Sequence, residues 1–276
     1  MRTATGIVSA RTLSDAWLET LVQVSAAPDR KLFQMVTRIT EPTAEDGMVR
    51  AAADDLLKLL EYQSIETVAN TVFPLQLANS SRDVAHLSER YRAMYPTIKR
   101  VHKSNRRGTY FGRLVAYPAE DGTYDQLSAL ICKLDQELEG DRPKGARYEV
   151  PIASGLQDAD KLDNTSLNYV TTAAVPIHVA GRDTSPMDFP CLSFCSFQLD
   201  RDQLHLTAHY RSQYLVQRGY GNYLGLARLQ AYVAAAVGVT SGQLLVVAGL
   251  VHADTAKYRV CAVVEAAQTH RGRLGG

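Results

Sequence analysis

Cysteine is sparse and unpatterned in this chain. Cys132, Cys191, Cys195 and Cys261 are the four in 276 residues, with no Cys-x-x-Cys pair and no His/Cys spacing of a zinc site. That argues against a disulfide framework and a structural metal, and a reducing, cytoplasmic setting is expected. A surplus of either charge is missing too. Thirty Lys and Arg stand against 29 Asp and Glu, a formal net charge of +1, so there is no electrostatic case for a nucleic-acid or membrane partner. Long apolar runs are absent. AYVAAAVGV and LLVVAGLV are parted by Thr240-Ser241-Gly242, and each is too short to span a bilayer. No secretory pattern opens the sequence, and no repeat or low-complexity linker divides it. One domain covering residues 1–276 is expected.

Local patterning predicts helices in the first half and mostly strands in the second. Ser14-Asp15 reads as the cap of a helix through Trp17, Leu18, Leu21 and Val24, and Leu32 to Thr40 as an extended run. Residues 47–62 read as an amphipathic helix with Val49, Leu56, Leu57, Leu59 and Leu60 on its apolar face. Residues 79–95 and 124–139 carry two more helical patterns, and TYFGRLVAYP between them reads as a strand or turn-strand unit. Further on, YEVPIAS, LNYVTTAAVPIHVAG, LSFCSFQLD and LHLTAHYRS read as strands and Tyr223 to Val237 as a helix. QLLVVAGLVH and KYRVCAVVEAAQ then close the sheet. The expected fold class is α+β, a mixed-sheet sandwich with flanking helices.

The residues best suited to chemistry are Cys191, Arg211, Ser212, Asn222 and His252. A thiolate can add to an electron-poor ring carbon and make the neighbouring carbon enolate-like, dividing one hard step into two easier ones. A guanidinium nearby lowers the thiol pKa. CLSFCSFQLD and QLHLTAHYRS, joined at Asp200-Arg201-Asp202, would fold as an antiparallel hairpin and bring Cys191 to Arg211. Read singly, each of these residues has an ordinary structural use: a buried thiol, an ion pair, a helix cap, a strand-end histidine.

Their spacing resembles that of the thymidylate synthase family. Cys191 in FPC matches the family's nucleophile, Arg211-Ser212 follows twenty positions on as the phosphate clamp, and Asn222 stands eleven later where the family reads the pyrimidine edge. His252 comes thirty beyond that, at the ribose-binding position. The resemblance also implies Tyr110 as the active-site tyrosine, Arg30 as a phosphate ligand and Arg147 as a ligand to the partner subunit's phosphate. For the glutamate that orders the O4 water it implies Asp55, with Asp54 or Glu66 as alternatives. It further implies a cytoplasmic homodimer built through sheet faces, a pyrimidine nucleoside monophosphate substrate (UMP, dUMP, CMP or dCMP) and 5,10-methylenetetrahydrofolate as donor.

Departures from the family pattern gather on the folate side. Leu192 replaces a histidine, Tyr210 a glutamine and Tyr214 the aspartate that holds the pterin; the closing C-terminal tail is missing, and the one tryptophan is Trp17 in the first helix. Phe73 is the nearest counterpart of the indole that shields the exocyclic methylene, so water addition to give a hydroxymethyl product is expected. Asp254, two after His252, replaces a tyrosine on the ribose, which points to tolerance of a ribonucleotide. Asn222 can both donate and accept, which leans towards uracil. Two other readings stay open: a pyrimidine-nucleotide-binding protein without catalysis, and a C5-modifying enzyme that uses no folate.

Overall fold

Parallel strands cannot be joined by a tight turn, so each parallel pair needs a crossover that covers one sheet face. The computed structural model describes residues 5–119, 122–139, 173–179, 182–183 and 189–274, and it contains two such crossovers. In the first, β1 (Thr5–Thr12) leads through α1 (Leu13–Ala26) to the parallel β2 (Lys31–Glu41). A helical region follows: α2 (Gly47–Leu59), α3 (Ile65–Val72), α4 (Leu75–Asn79), α5 (Val84–Val101) and α6 (Tyr110–Val115). A small ribbon of β3 (Tyr117–Ala119) and β4 (Gly122–Tyr124) precedes α7 (Gln126–Glu139) and β5 (Ala173–Pro176). The second crossover starts from β6 (Leu192–Asp200) and β7 (Gln203–Tyr210). It runs through the two-residue β8 (Gln213–Tyr214), a π turn at 215–219 and α8 (Tyr220–Ala236) into β9 (Thr240–His252), parallel to β7. Helix α9 (Lys257–Leu274) closes the described chain.

The main sheet has seven strands in the order β1-β2-β9-β7-β6-β5, with β8 paired to β9. Leu32, Met35, Thr37 and Ile39 oppose Val251, Ala248, Val246 and Leu244, and all eight are buried on the face that α1 and α8 pack against. Helix α8 also lies close to α3: a Cβ on Gly225 would stand 2.7 Å from the main-chain oxygen of Ala69, so only glycine permits that approach. The other sheet face is partly open. Ile7, Val36, Val247, His209 and Phe194 line up across five strands there. Ile7 is 70% exposed and the neighbouring Phe33 48%.

The mixed sheet with flanking helices is the architecture expected in outline, although the layer opposite the sheet is helical. Some elements differ from expectation. The α1 cap is Thr12, whose Oγ1 accepts from the Asp15 N–H, a contact of about 1 kcal/mol. TYFGRLVAYP is mainly helix α6: Thr109 accepts from the Gly112 N–H, and Phe111 to Val115 are buried all round, so tertiary packing overrides the strand preference of its aromatic and β-branched residues. KYRVCAVVEAAQ is helical, because Val260, Val263 and Ala267 recur at helical spacing and bury one face of α9 towards α1 and α2. YEVPIAS and residues 167–172 of the following strand lie outside the described residues, whereas Ala173–Pro176 is a strand. Among the described residues, no helix is long and apolar enough to cross a membrane.

Candidate active site

The β6–β7 hairpin turns at Arg201, which takes a left-handed φ of 58°, and its strands pair antiparallel from Leu192↔Tyr210 to Asp200↔Gln203. That register puts Cys191 and Arg211 side by side. The Arg211 N–H donates to the Cys191 carbonyl at 2.9 Å, and the guanidinium is near enough to favour the thiolate. Gly249 on β9 makes room for this joint: a Cβ there would lie 3.0 Å from the Arg211 carbonyl oxygen. Burial pushes the half-buried Cys191 thiol above its ordinary value, and the lowering effects of Arg211 and Arg218 do not offset it. The expectation of a depressed thiol pKa is thus corrected for the free protein, because desolvation outweighs the two cations.

Tyr110 opens α6 beside this joint. Its ring stacks on Phe189 at 5.2 Å and meets Tyr210 edge-on at 6.4 Å, and its phenol faces the main-chain N–H groups of Leu192 and Cys191. Burial raises the phenol's pKa, with the nearby Cys191 adding to it. Ser212 follows Arg211, half-buried, in the bend before β8. Asn222 sits in the first turn of α8, 4% exposed, with no hydrogen-bond partner for its amide among the described residues. A carboxamide at this place can both donate to and accept from a ligand.

A second cluster lies at the end of β9. His252 pairs with Lys31 of β2 and with Tyr214 of β8, and the Tyr214 and His252 rings are 5.1 Å apart. Burial lowers the His252 pKa, helped by Lys31 and opposed by Asp254. Arg30 joins this cluster from the loop before β2. Its carbonyl accepts from the Ala253 N–H at 3.0 Å, and its guanidinium donates to the Thr255 carbonyl at 2.6 Å. Asp29 and Arg30 both adopt left-handed backbone, with φ of 53° and 54°, a conformation that non-glycine residues hold only where the surroundings enforce it.

The remaining expected residues are placed differently. Asp55 lies on the outer side of α2, 76% exposed and paired with Lys58 at 3.3 Å, so it does not reach the site. The apolar stripe Val49, Ala53, Leu56 and Leu57 turns it outward. Asp54 and Glu66 are held in ion pairs with Arg50 at 3.1 and 3.0 Å, and Arg228 takes both Glu66 oxygens at 2.7 Å. Phe73 is fully enclosed between Phe111 and Tyr232 and cannot touch a ligand. Both Asp254 oxygens accept main-chain N–H groups, from Val216 at 2.8 Å and Gln217 at 3.1 Å. Its carboxylate therefore anchors the π turn instead of standing free for a ribose diol. Arg147 lies outside the described residues.

That π turn contributes a cation the spacing comparison missed. Arg218 is half-buried, with Tyr110, Cys191 and Asp254 within electrostatic reach, and its Nη1 donates to Gln63 Oε1 at 2.5 Å. Gln63 in turn lines a cleft of about 250 Å³ that extends to Thr109, the residue before Tyr110. Amides of Asn70, Gln76 and Asn105 line it together with Leu77, Met94 and Ile98. Arg218 stands one helical turn before Asn222 in the sequence, which is the signal that could have marked it.

Comparison with protein-family models and with curated proteins finds no match for the chain. What the site can do therefore rests on its chemistry. It brings together the Cys191 thiol, the Arg211 and Arg218 guanidinium groups and the partly buried Tyr110 phenol. Among the described residues, no cluster of three His, Cys, Asp or Glu side chains could hold a metal.

Proposed function

We propose that the protein is an enzyme of the thymidylate synthase type, adding a one-carbon unit to C5 of a pyrimidine nucleoside monophosphate. The observation that carries this reading is the meeting of Cys191 and Arg211 at the open end of the β6–β7 hairpin, with the Tyr110 phenol alongside. Arg211 and Ser212 take the phosphate, Asn222 reads the base edge, and His252 with Arg30 faces the sugar-phosphate side. Cys191 sulfur bonds to C6, and the electron pair of the C5–C6 double bond moves towards C4 and O4. C5 then bonds the one-carbon unit, the C5 proton leaves with help from the Tyr110 phenol, and the donor nitrogen departs from that carbon to leave an exocyclic methylene; water adds there, losing a proton, as the C6–sulfur bond breaks and the ring double bond returns.

Methylenetetrahydrofolate would supply the carbon. The cleft beside Gln63 suits a flat heterocycle with a hydrogen-bonding edge, since its lining mixes the amides of Gln63, Asn70, Gln76 and Asn105 with Leu77, Met94 and Ile98. Its size fits a ring system alone. Tyr214, expected against a pterin, is on the His252 side instead. With Phe73 sealed in the core, water is the proposed partner of the exocyclic methylene, giving a hydroxymethyl product.

The test is tritium release from C5-labelled UMP, dUMP, CMP and dCMP, with and without methylenetetrahydrofolate, in the unaltered protein and in Cys191→Ala. Release that disappears in the variant while nucleotide affinity stays within a few-fold is expected, a loss on the order of 10⁴-fold or more. Binding without release in either protein would select the non-catalytic reading, which the raised thiol pKa of Cys191 favours. Release that is indifferent to folate would select another donor.

The open sheet face supports a homodimer. Ile7, Val36 and Val247 form its apolar row, and such a face buried against its own copy removes a large patch from water. Val247→Arg should shift the sedimentation coefficient from dimer to monomer. A wild-type monomer at micromolar concentration would end this part of the reading.

A further inference from the structure

Arg218 is held more firmly than a surface arginine requires. The Trp17 indole N–H donates to the Leu215 carbonyl at 2.8 Å, Asp254 takes the N–H groups of Val216 and Gln217, and Gly219 backs onto the indole. These contacts fix the turn from three sides and leave its guanidinium aimed at Gln63. Arg218 makes no ion pair among the described residues, and its one hydrogen bond there goes to a neutral carbonyl. A half-buried cation whose one hydrogen bond goes to a neutral group, and whose nearest carboxylate, Asp254, is committed to main-chain N–H groups, is prepared for negative charge that arrives later.

The direction of that hydrogen bond matters. Guanidinium groups only donate, so Gln63 must present Oε1 to Arg218, which leaves its NH₂ facing away. The pair therefore offers donors and no free acceptor of the first rank. When sulfur adds to C6, charge builds on the substituent at C4. In uracil that substituent is O4, which accepts hydrogen bonds; in cytosine it is an amino group, which donates. We propose that Arg218 and Gln63 recognise the O4 oxygen of a uracil ring and stabilise the charge that develops on it. They would take the role expected of a carboxylate-bound water, which Asp55, on the outer side of α2, cannot fill. This rests on the C5 chemistry proposed above, and it makes Arg218 a catalytic residue and Gln63 its specificity partner.

The experiment compares wild type with Arg218→Gln, Arg218→Lys and Gln63→Glu. It measures kcat and KM for C5 tritium release from UMP, dUMP, CMP and dCMP, affinity by calorimetry, and folding by circular dichroism and thermal melting. Wild type is expected to favour uracil over cytosine by about 100-fold or more in kcat/KM, because donors facing an amino group go unpaired. Arg218→Gln should lower kcat on uracil by about 10²–10³-fold with a smaller change in KM, and Arg218→Lys should recover part of it. Gln63→Glu supplies an acceptor and should reduce or invert the base preference; it decides the matter if Arg218→Gln does not fold.

Release by wild type with an unchanged base ratio in Arg218→Gln and Gln63→Glu overturns this inference alone. Equal losses of affinity for both bases that vanish with uridine and cytidine overturn it as well, by assigning Arg218 to the phosphate. No release by wild type from any of the four nucleotides removes the C5 reading, and this inference with it.

Discussion

Arg50 and Arg218 are both half-buried, yet Arg50 is ringed by Glu45, Asp54 and Glu66 at 2.8 to 3.1 Å while Arg218 has one amide carbonyl. Their pKa values move in opposite directions for that reason. Burial opposes the charge of each, but the hydrogen bonds Arg50 donates to Glu45 and Glu66 raise it overall, whereas Arg218 is lowered. Around Arg50 the chain has already supplied the anions, including Glu66, which also holds Arg228, and the Tyr220 ring lies under the guanidinium at 5.5 Å. Around Arg218 it has supplied a thiol, a phenol and a carboxylate that is committed to main-chain N–H groups. Satisfied charges tie α2, α3 and α8 together; under-compensated ones mark the place where a ligand would complete the set.

The contrast can be broken at several points. The largest effect is expected at the sulfur. Alkylation of Cys191 by iodoacetamide should follow a pH profile with its midpoint above the ordinary cysteine value of 9.0. Arg211→Ala should move that midpoint higher still and slow the reaction about tenfold at neutral pH, as one unit of pKa requires. Peptide mass mapping would separate Cys191 from the exposed Cys132 and Cys261. A midpoint that does not move in Arg211→Ala would mean that the guanidinium does not act on the sulfur.

Next in size is the structural cluster. Arg50→Gln leaves Glu45, Asp54 and Glu66 without their shared cation and should cost about 1 kcal/mol in urea unfolding, at the upper end for solvent-reached pairs. Activity per folded molecule should not change, the reverse of the pattern expected for Arg218→Gln. The smallest effect is on acid stability. The Arg228 and Arg50 guanidinium groups hold Glu66 down from 4.5 to about 2. A carboxyl depressed in the folded state contributes stability that is complete above its unfolded pKa and is lost as pH falls towards the folded one. Wild type should therefore lose stability between about pH 4.5 and 2, and Glu66→Gln should flatten the slope in that window. Parallel slopes would show that the pairing persists in the unfolded chain.

The parts of the fold that follow from local signals were readable in the sequence. The β6–β7 hairpin is written as two alternating runs around Asp200-Arg201-Asp202, and its register follows from the turn. Helix α9 was misread because valine and tyrosine favour strands locally, although Val260, Val263 and Ala267 already carried the helical period. Asp55 is the nearest acidic residue on its helix to the family's glutamate, but the apolar stripe of that same helix turns it to solvent. Arg218 and Gln63 are 155 residues apart and meet only through the packing of α3 against α8, so neither could be paired by inspection of its neighbours. Asp254 is expected on the ribose, yet its partners are main-chain groups of a turn, which no residue pattern announces.

Trp17 is the only tryptophan in the chain, and its indole N–H is bonded to the turn that bears Arg218. Light absorbed at the red edge of the aromatic band is therefore reported by one ring, buried at 1% exposure and in edge contact with Tyr220. The molecule thus carries its own optical gauge: any occupant that shifts the 215–219 turn alters the hydrogen bond on the indole nitrogen, and with it the colour and lifetime of the emission, without a label or a coupled assay.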